Sequence, residues 1–168
     1  MNISDSLLRK DEKAILALRS LYSQYGYVQF KMNKFEEYDL YAKNKDYLVS
    51  DNVLTFTDTN GKLMALKPDV TLSIIKNCKD RQDSLEKVYY NENVYRISKS
   101  THSFQEIMQV GLECIGNLDD YAIYEVLTLA AKSLAQISPD YILDISQLDI
   151  VQRVLDSLDV ETEVRQLL

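Results

Sequence analysis

Apolar residues at steps of three and four open the chain. Leu7, Leu8, Ala14, Ile15, Leu18, Leu21, Tyr22 and Tyr25 fall on one stripe of an amphipathic helix, and Gly26 is placed to stop it. Val28 to Lys31 reads as a short strand, and the aromatic and acidic segment Phe35 to Tyr41 as the start of a second helix. Val53 to Thr57 and Lys62 to Lys67 flank Asp58-Thr59-Asn60-Gly61, whose Asn-Gly pair suits a hairpin turn. Pro68 fits a first helical turn, so a helix carrying Val70, Ile74, Ile75 and Cys78 is expected to begin there, with Asp69 at its positive end. Two strands, Val88 to Ile97 and Phe104 to Ile115, follow around the polar loop Ser98 to Ser103. Asn117 and Asp120 are the expected cap of a helix that buries Ile123, Val126, Leu127, Ala130 and Leu134 and ends before Pro139. Tyr141 to Ile145 reads as a strand, and Leu148, Val151, Leu155 and Leu158 as one more helix. This order predicts an α+β fold with a largely antiparallel sheet.

Alternation makes the strand Phe104 to Ile115 the most informative segment, because residues two apart share a face. Gln109, Gly111 and Glu113 point one way, while Phe104, Met108, Val110, Leu112 and Cys114 give the other face to the core. At ~3.3 Å per residue, roughly 13 Å separates the outer Cα atoms of the polar trio, so their side chains can converge above the glycine. A carboxylate beside an amide oxygen suits an ammonium group, which needs acceptors from several directions. Each feature also has a plain reading. The strand face can be solvated, Gly111 can mark a bulge, and Asp69 can stabilise a helix dipole. What these leave unexplained is their combination: Asp69-x-Thr71 at a helix start, Arg96 ending one strand, and Gln109-x-Gly111-x-Glu113 on the strand that returns.

Charge narrows the partners. Nineteen basic against 26 acidic residues give a net charge of −7, which opposes the phosphate attraction on which nucleic-acid binding rests. The basic stretches Lys43 to Lys45 and Lys76 to Arg81 are short and read as solvated surface. Cys78, Cys114 and the single His102 cannot assemble a zinc-ligand pattern, so both thiols read as buried apolar filler and no metal is expected. His102 stands in a polar loop with no evident catalytic partner. Only Gly26, Gly61, Gly111 and Gly116 exist, so there is no phosphate-cradling glycine loop and no cofactor is expected. No apolar run approaches the ~18 residues that span a bilayer, and the polar N-terminus does not read as a secretory signal. A cytoplasmic protein of one domain, residues 1–168, is expected. Glu163 to Leu168 look like the opening of a further helix, which suggests a truncated parent chain.

Three segments resemble histidyl-tRNA synthetases. Ala65-Leu66-Lys67-Pro68-Asp69-Val70-Thr71 is similar to their Leu-Arg-Pro-Glu-x-Thr segment, Asn93-Val94-Tyr95-Arg96 to class II motif 2, and Met108 to Gly116 to the strand that follows. The resemblance implies a class II synthetase-like antiparallel sheet flanked by helices and incomplete at its C-terminus. It also implies a histidine site in which Asp69, Thr71, Gln109 and Glu113 surround the ammonium, Arg96 takes the carboxylate and Gly111 forms the floor. Departures set the chain apart within that group. Ile97 to Ser103 contains no arginine and offers only Lys99 as a cation, where synthetases grip ATP with arginines. The later motif 3 arginine and the anticodon-binding domain have no counterpart before Leu168. Phe35 to Tyr41 and Tyr95 to Lys99 instead resemble the regulatory-subunit family of ATP phosphoribosyltransferase. That family implies a chain without its own aminoacylation activity, which binds histidine, itself and the short-form catalytic subunit in the first step of histidine biosynthesis. A divergent or truncated histidyl-tRNA synthetase is the rival from the enzyme class, and a bare assembly module with a vestigial pocket is a third reading.

Overall fold

The computed structural model describes residues 7–44, 53–78, 85–98, 100–145 and 148–158. Helix α1 (Lys10–Gln24) opens the fold, its first turn closed by the Glu12 carboxylate, which accepts the Arg9 amide at 2.8 Å. Its stripe buries Leu18, Leu21 and Tyr22, whereas Leu7 lies before the helix and is exposed. Gly26, at φ +82°, turns the chain into β1 (Val28–Gln29).

β2 (Phe35–Glu37) corrects the expected helix at this point: the segment is extended until Glu37, and helix α2 (Tyr38–Ala42) begins only afterwards. The cause is a partner distant in sequence, because Phe35, Glu36 and Glu37 pair with Leu66, Ala65 and Met64. β3 (Thr55–Thr57) and β4 (Leu63–Leu66) form the expected antiparallel hairpin. Asp58 Oδ1 accepts the amides of Asn60 and Lys62 across the turn, and Gly61 takes φ +80°. Helix α3 (Thr71–Asn77) starts three residues beyond Pro68, so the proline precedes the helix rather than opening it. Asp69 takes the capping role by accepting the Leu72 amide at 2.9 Å. Ile75, expected on the buried stripe, is exposed.

β5 (Glu86–Ile97) and β6 (Phe104–Ile115) pair antiparallel along their whole length, with β1 parallel on the far side of β5. Paired residues share a face, so the register divides the sheet. Tyr89, Val110, Leu112 and Cys114 pack with Leu18, Leu21, Tyr22 and Leu129 under α1 and α4 (Asp120–Ile137). Val88, Val94, Ile107 and Ile115 pack with Val70 and Ile74 on the other side. Phe104 and Met108, assigned above to the core, are exposed at the end of β6 that α1 and α4 leave uncovered. Cys78 and Cys114 are free thiols at the margins of the cores rather than fully buried.

Helix α4 is capped by Asp119, whose carboxylate accepts the Ala122 amide at 2.8 Å, and not by Asn117 or Asp120. Its buried face is also rotated by about one residue from the expected apolar stripe. Ala122, Glu125 and Leu129 are inside, while Ile123 and Leu127 are exposed. A charge causes the rotation: Glu125 Oε1 lies 2.6 Å from the ammonium of Lys87 on β5. Residues 141–145, expected as a strand, have no strand partner among the described residues, and α5 (Leu148–Ser157) follows. No helix of the described residues is long and apolar enough to cross a membrane.

Removing one member of a buried ion pair leaves the other charge desolvated, at about 3–5 kcal/mol for a fully buried pair. Lys87 is partly exposed and can turn towards water, so Glu125→Leu should cost less, about 2–4 kcal/mol. Urea unfolding of the two proteins measures it.

Candidate functional site

The face of the sheet away from α1 and α4 carries Glu86, Val88, Tyr90, Glu92, Val94 and Arg96 on β5, opposite Ile115, Glu113, Gly111, Gln109, Ile107 and Gln105 on β6. The segment Lys67 to Thr71 crosses this face on its way from β4 into α3. Three interactions fix it to β5. The Tyr95 amide donates to the Lys67 carbonyl at 2.9 Å, Arg96 Nε donates to the Pro68 carbonyl at 3.1 Å, and the Lys67 ammonium pairs with the Glu92 carboxylate. Lys67 is 1% exposed, so its charge has exchanged water for Glu92.

This anchoring sets Asp69 and Thr71 over β6. Thr71 Oγ1 donates to Glu113 Oε1 at 2.7 Å. Asp69 commits Oδ1 to the Leu72 amide. Burial pushes the Glu113 carboxyl above the usual range, the Thr71 hydroxyl works against that shift, and the negative charge of Asp69 adds to it. A carboxyl with a raised folded-state pKa makes a contribution that falls as pH rises through the unfolded-state pKa, so ionised Glu113 is a net cost to the folded chain near neutral pH. A cation placed between Asp69 and Glu113 would relieve that cost.

Four of the residues singled out from sequence therefore come together: Asp69, Thr71, Arg96 and Glu113. Gln109 shares their face, opposite Glu92, but makes no hydrogen bond to them among the described residues. Gly111 lies beneath a side chain of the protein itself. A Cβ added there would meet Tyr90 Oη at 2.5 Å and Cζ at 2.6 Å, so the phenol covers the glycine. Tyr90 and Glu92, placed by the strand register, and Lys67, carried in by the segment leading to α3, join the candidate site and escaped the sequence reading. Lys99 lies outside the described residues. His102 is exposed at the tip of the β5–β6 connection, at φ 53°, with its amide donating to the Ser98 carbonyl at 2.9 Å. Among the described residues no group of His, Cys, Asp or Glu is arranged to hold a metal ion.

The sequence model of the family described as Histidyl-tRNA synthetase matches residues 3–168. Relatives of two names align equally well. The "Histidine--tRNA ligase" of Methanocaldococcus jannaschii is 31% identical over 150 residues, covering 87% of this chain and 36% of that protein. The "ATP phosphoribosyltransferase regulatory subunit" of Thermoanaerobacter pseudethanolicus is 30% identical over 155 residues, covering 89% of this chain and 40% of that protein. The chain thus spans well under half the length of both. In fold it is similar to an ATP phosphoribosyltransferase regulatory subunit/histidyl-tRNA synthetase from Bacillus halodurans, with TM-score 0.61 at 23% identity over 75% of this chain and 33% of that one. It is also similar to a chain of the ATP phosphoribosyl transferase (HisG:HisZ) complex from Thermotoga maritima, with TM-score 0.57 at 22% identity over 81% and 43%. Antiparallel sheets flanked by helices are thus a class II synthetase-like fold.

Lys67→Met strips the partly exposed Glu92 of its counter-charge and should cost about 2–4 kcal/mol, whereas Lys67→Arg should retain most of the stability. Chemical denaturation of both variants checks the difference.

Proposed function

The chain belongs to the histidyl-tRNA synthetase family, and from that premise we propose that it is a non-catalytic regulatory subunit of ATP phosphoribosyltransferase. In this reading it is required for the first step of histidine biosynthesis and binds histidine as the feedback signal. One contrast carries the proposal. The acidic pair Asp69 and Glu113, with Thr71 and Arg96, is assembled over the sheet, while the β5–β6 connection contains no arginine with which to grip a triphosphate. Recognition of an amino acid is kept and the means of activating it is not. The relatives named as regulatory subunits support the same side. The partners proposed are the short-form catalytic subunit, a second copy of this chain, and histidine. The chain is read as one partial class II domain acting in the cytoplasm without nucleic acid, membrane, metal or cofactor. Gln109, on the same face of the sheet, is proposed to contact histidine when it enters.

The enzyme reading rests on the equally similar histidine–tRNA ligases. Assaying phosphoribosyl transfer by a short-form catalytic subunit, with and without this chain and histidine, separates the two. Activation by the chain and inhibition by histidine are expected, and histidine-dependent pyrophosphate exchange by the chain alone would instead establish the synthetase. Within the proposal, Glu113→Gln should weaken histidine binding about ten- to hundredfold in calorimetric titration, the value of one charge-assisted hydrogen bond. Its melting temperature should not fall, since the substitution removes a carboxylate whose ionisation burial opposes.

Self-association is proposed to use the outer surface of β2 and β3, where Phe35 and Phe56 are both exposed and meet edge to face with centroids 5.2 Å apart. Tyr41, although in the same segment, is fully buried and belongs to the core. Phe35→Asp should therefore shift the sedimenting species towards monomer without unfolding it, while Tyr41→Asp should unfold the chain.

A further inference from the structure

Gly111 and Tyr90 are directly paired across β5 and β6, and the phenol lies across its partner so closely that any Cβ at 111 would collide with it. The glycine is accordingly a requirement of the tyrosine. What the tyrosine gains is a position. Its hydroxyl stands above the Gly111 backbone, on the line between Gln109 and Glu113, where the charges of Glu113, Asp69 and Arg96 all reach it. Burial and the two carboxylates push its pKa up to about 12, so it remains a neutral phenol at any pH at which the protein works. Among the described residues the hydroxyl makes no hydrogen bond. A cross-strand aromatic present only to cover a strand glycine would need no hydroxyl, and Phe would serve as well. A half-buried hydroxyl over Gly111, within the field of two carboxylates and without a partner among the described residues, is open to a ligand on that face.

We propose that Tyr90 is a ligand-contacting residue of this site, its hydroxyl oxygen accepting one N–H of an α-ammonium group whose other protons go to Asp69 and Glu113. Thr71 occupies Glu113 Oε1 and the Leu72 amide occupies Asp69 Oδ1, which leaves one oxygen on each carboxylate for the ligand. An ammonium has three protons to place, and the phenol supplies the third acceptor at the floor. The covered glycine also limits how deep the ammonium can sink, so the depth of the pocket is set by the phenol rather than by the backbone. The inference rests on the amino-acid reading of the site, and the test keeps the two apart.

Histidine is titrated calorimetrically into the unmodified chain, Tyr90→Phe and Glu113→Gln, and the melting temperature of each is measured. Tyr90→Phe keeps the ring on Gly111, so its melting temperature should be unchanged while its affinity for histidine falls about five- to tenfold. Weaker binding by Glu113→Gln with unchanged binding by Tyr90→Phe would overturn the role of Tyr90 and leave the amino-acid site standing. A loss of affinity in Tyr90→Phe that comes with a lower melting temperature would assign the hydroxyl to the fold and likewise overturn it. No binding to the unmodified chain, or equal binding to all three, would overturn the amino-acid site and this inference with it.

Discussion

Along β5 and β6 the register of twelve cross-strand pairs decides which chemistry meets which. A slip of β6 by one residue against β5 would turn Gln109 and Glu113 towards α1 and α4 and send Val110, Leu112 and Cys114 to the other side. Both cores oppose such a slip, because each sheet face is covered by its own set of apolar residues. The site therefore inherits its geometry from packing that has nothing to do with ligands. The short β2–β4–β3 sheet contributes by delivering Lys67 to Thr71 across the face so defined.

Two ion-paired lysines, Lys67 buried and Lys87 partly exposed, secure what lies on either side of β5. Lys87 points to the helical face and holds Glu125 of α4, while on the opposite face Glu92 of β5 receives Lys67 from the segment leading into α3. Exchanging water for a partner in a buried pair brings little net stability, and apolar residues of similar volume often do as well. What such pairs impose is position. The α4 helix is rotated to bring Glu125 inward at the expense of Ile123 and Leu127, and the approach to α3 is held where Asp69 and Thr71 stand over Glu113. The Glu113 carboxylate, buried and near the charge of Asp69, is then a cost carried by the folded chain.

Local signals were legible in the sequence where local physics decides. The bounds of β6, the hairpin closed by Gly61 and the alternation of Gln109, Gly111 and Glu113 follow from residue pattern and turn chemistry. Phe35 to Glu37 did not, because the extended state there depends on pairing with Leu66 to Met64. Helical periodicity placed Ile123 and Leu127 inside since it counts only apolar residues, and the burial of Glu125 is decided by a lysine on another element. Gly111 announced that something approaches the backbone, yet the sequence could not say that this is Tyr90, twenty-one positions earlier and opposite it in the ladder.

The same ladder is compatible with the proposed function, in which recognition is kept without activation. Pairing stops at Ile97 and Phe104, and the turn beyond is held by its own bonds, from the Ser98 amide to the Ser103 carbonyl and from the His102 amide to the Ser98 carbonyl. Residues of that turn can lose their cations without disturbing the register, because none of the cross-strand pairs runs through them. Asp69, Thr71, Arg96 and Glu113 lie on the ladder or are tied to it, so none of them is free to move in the same way. In the function proposed above, such a fold sheds the grip on a nucleotide and keeps the grip on an amino acid, so that binding is its output. For binding to be read by a partner, the ligand must change something outside the pocket. Under that proposal the element best placed to transmit it is α3, whose first turn holds Thr71 against Glu113 and whose Leu72 packs with Tyr41 of α2 and Ala65 of β4.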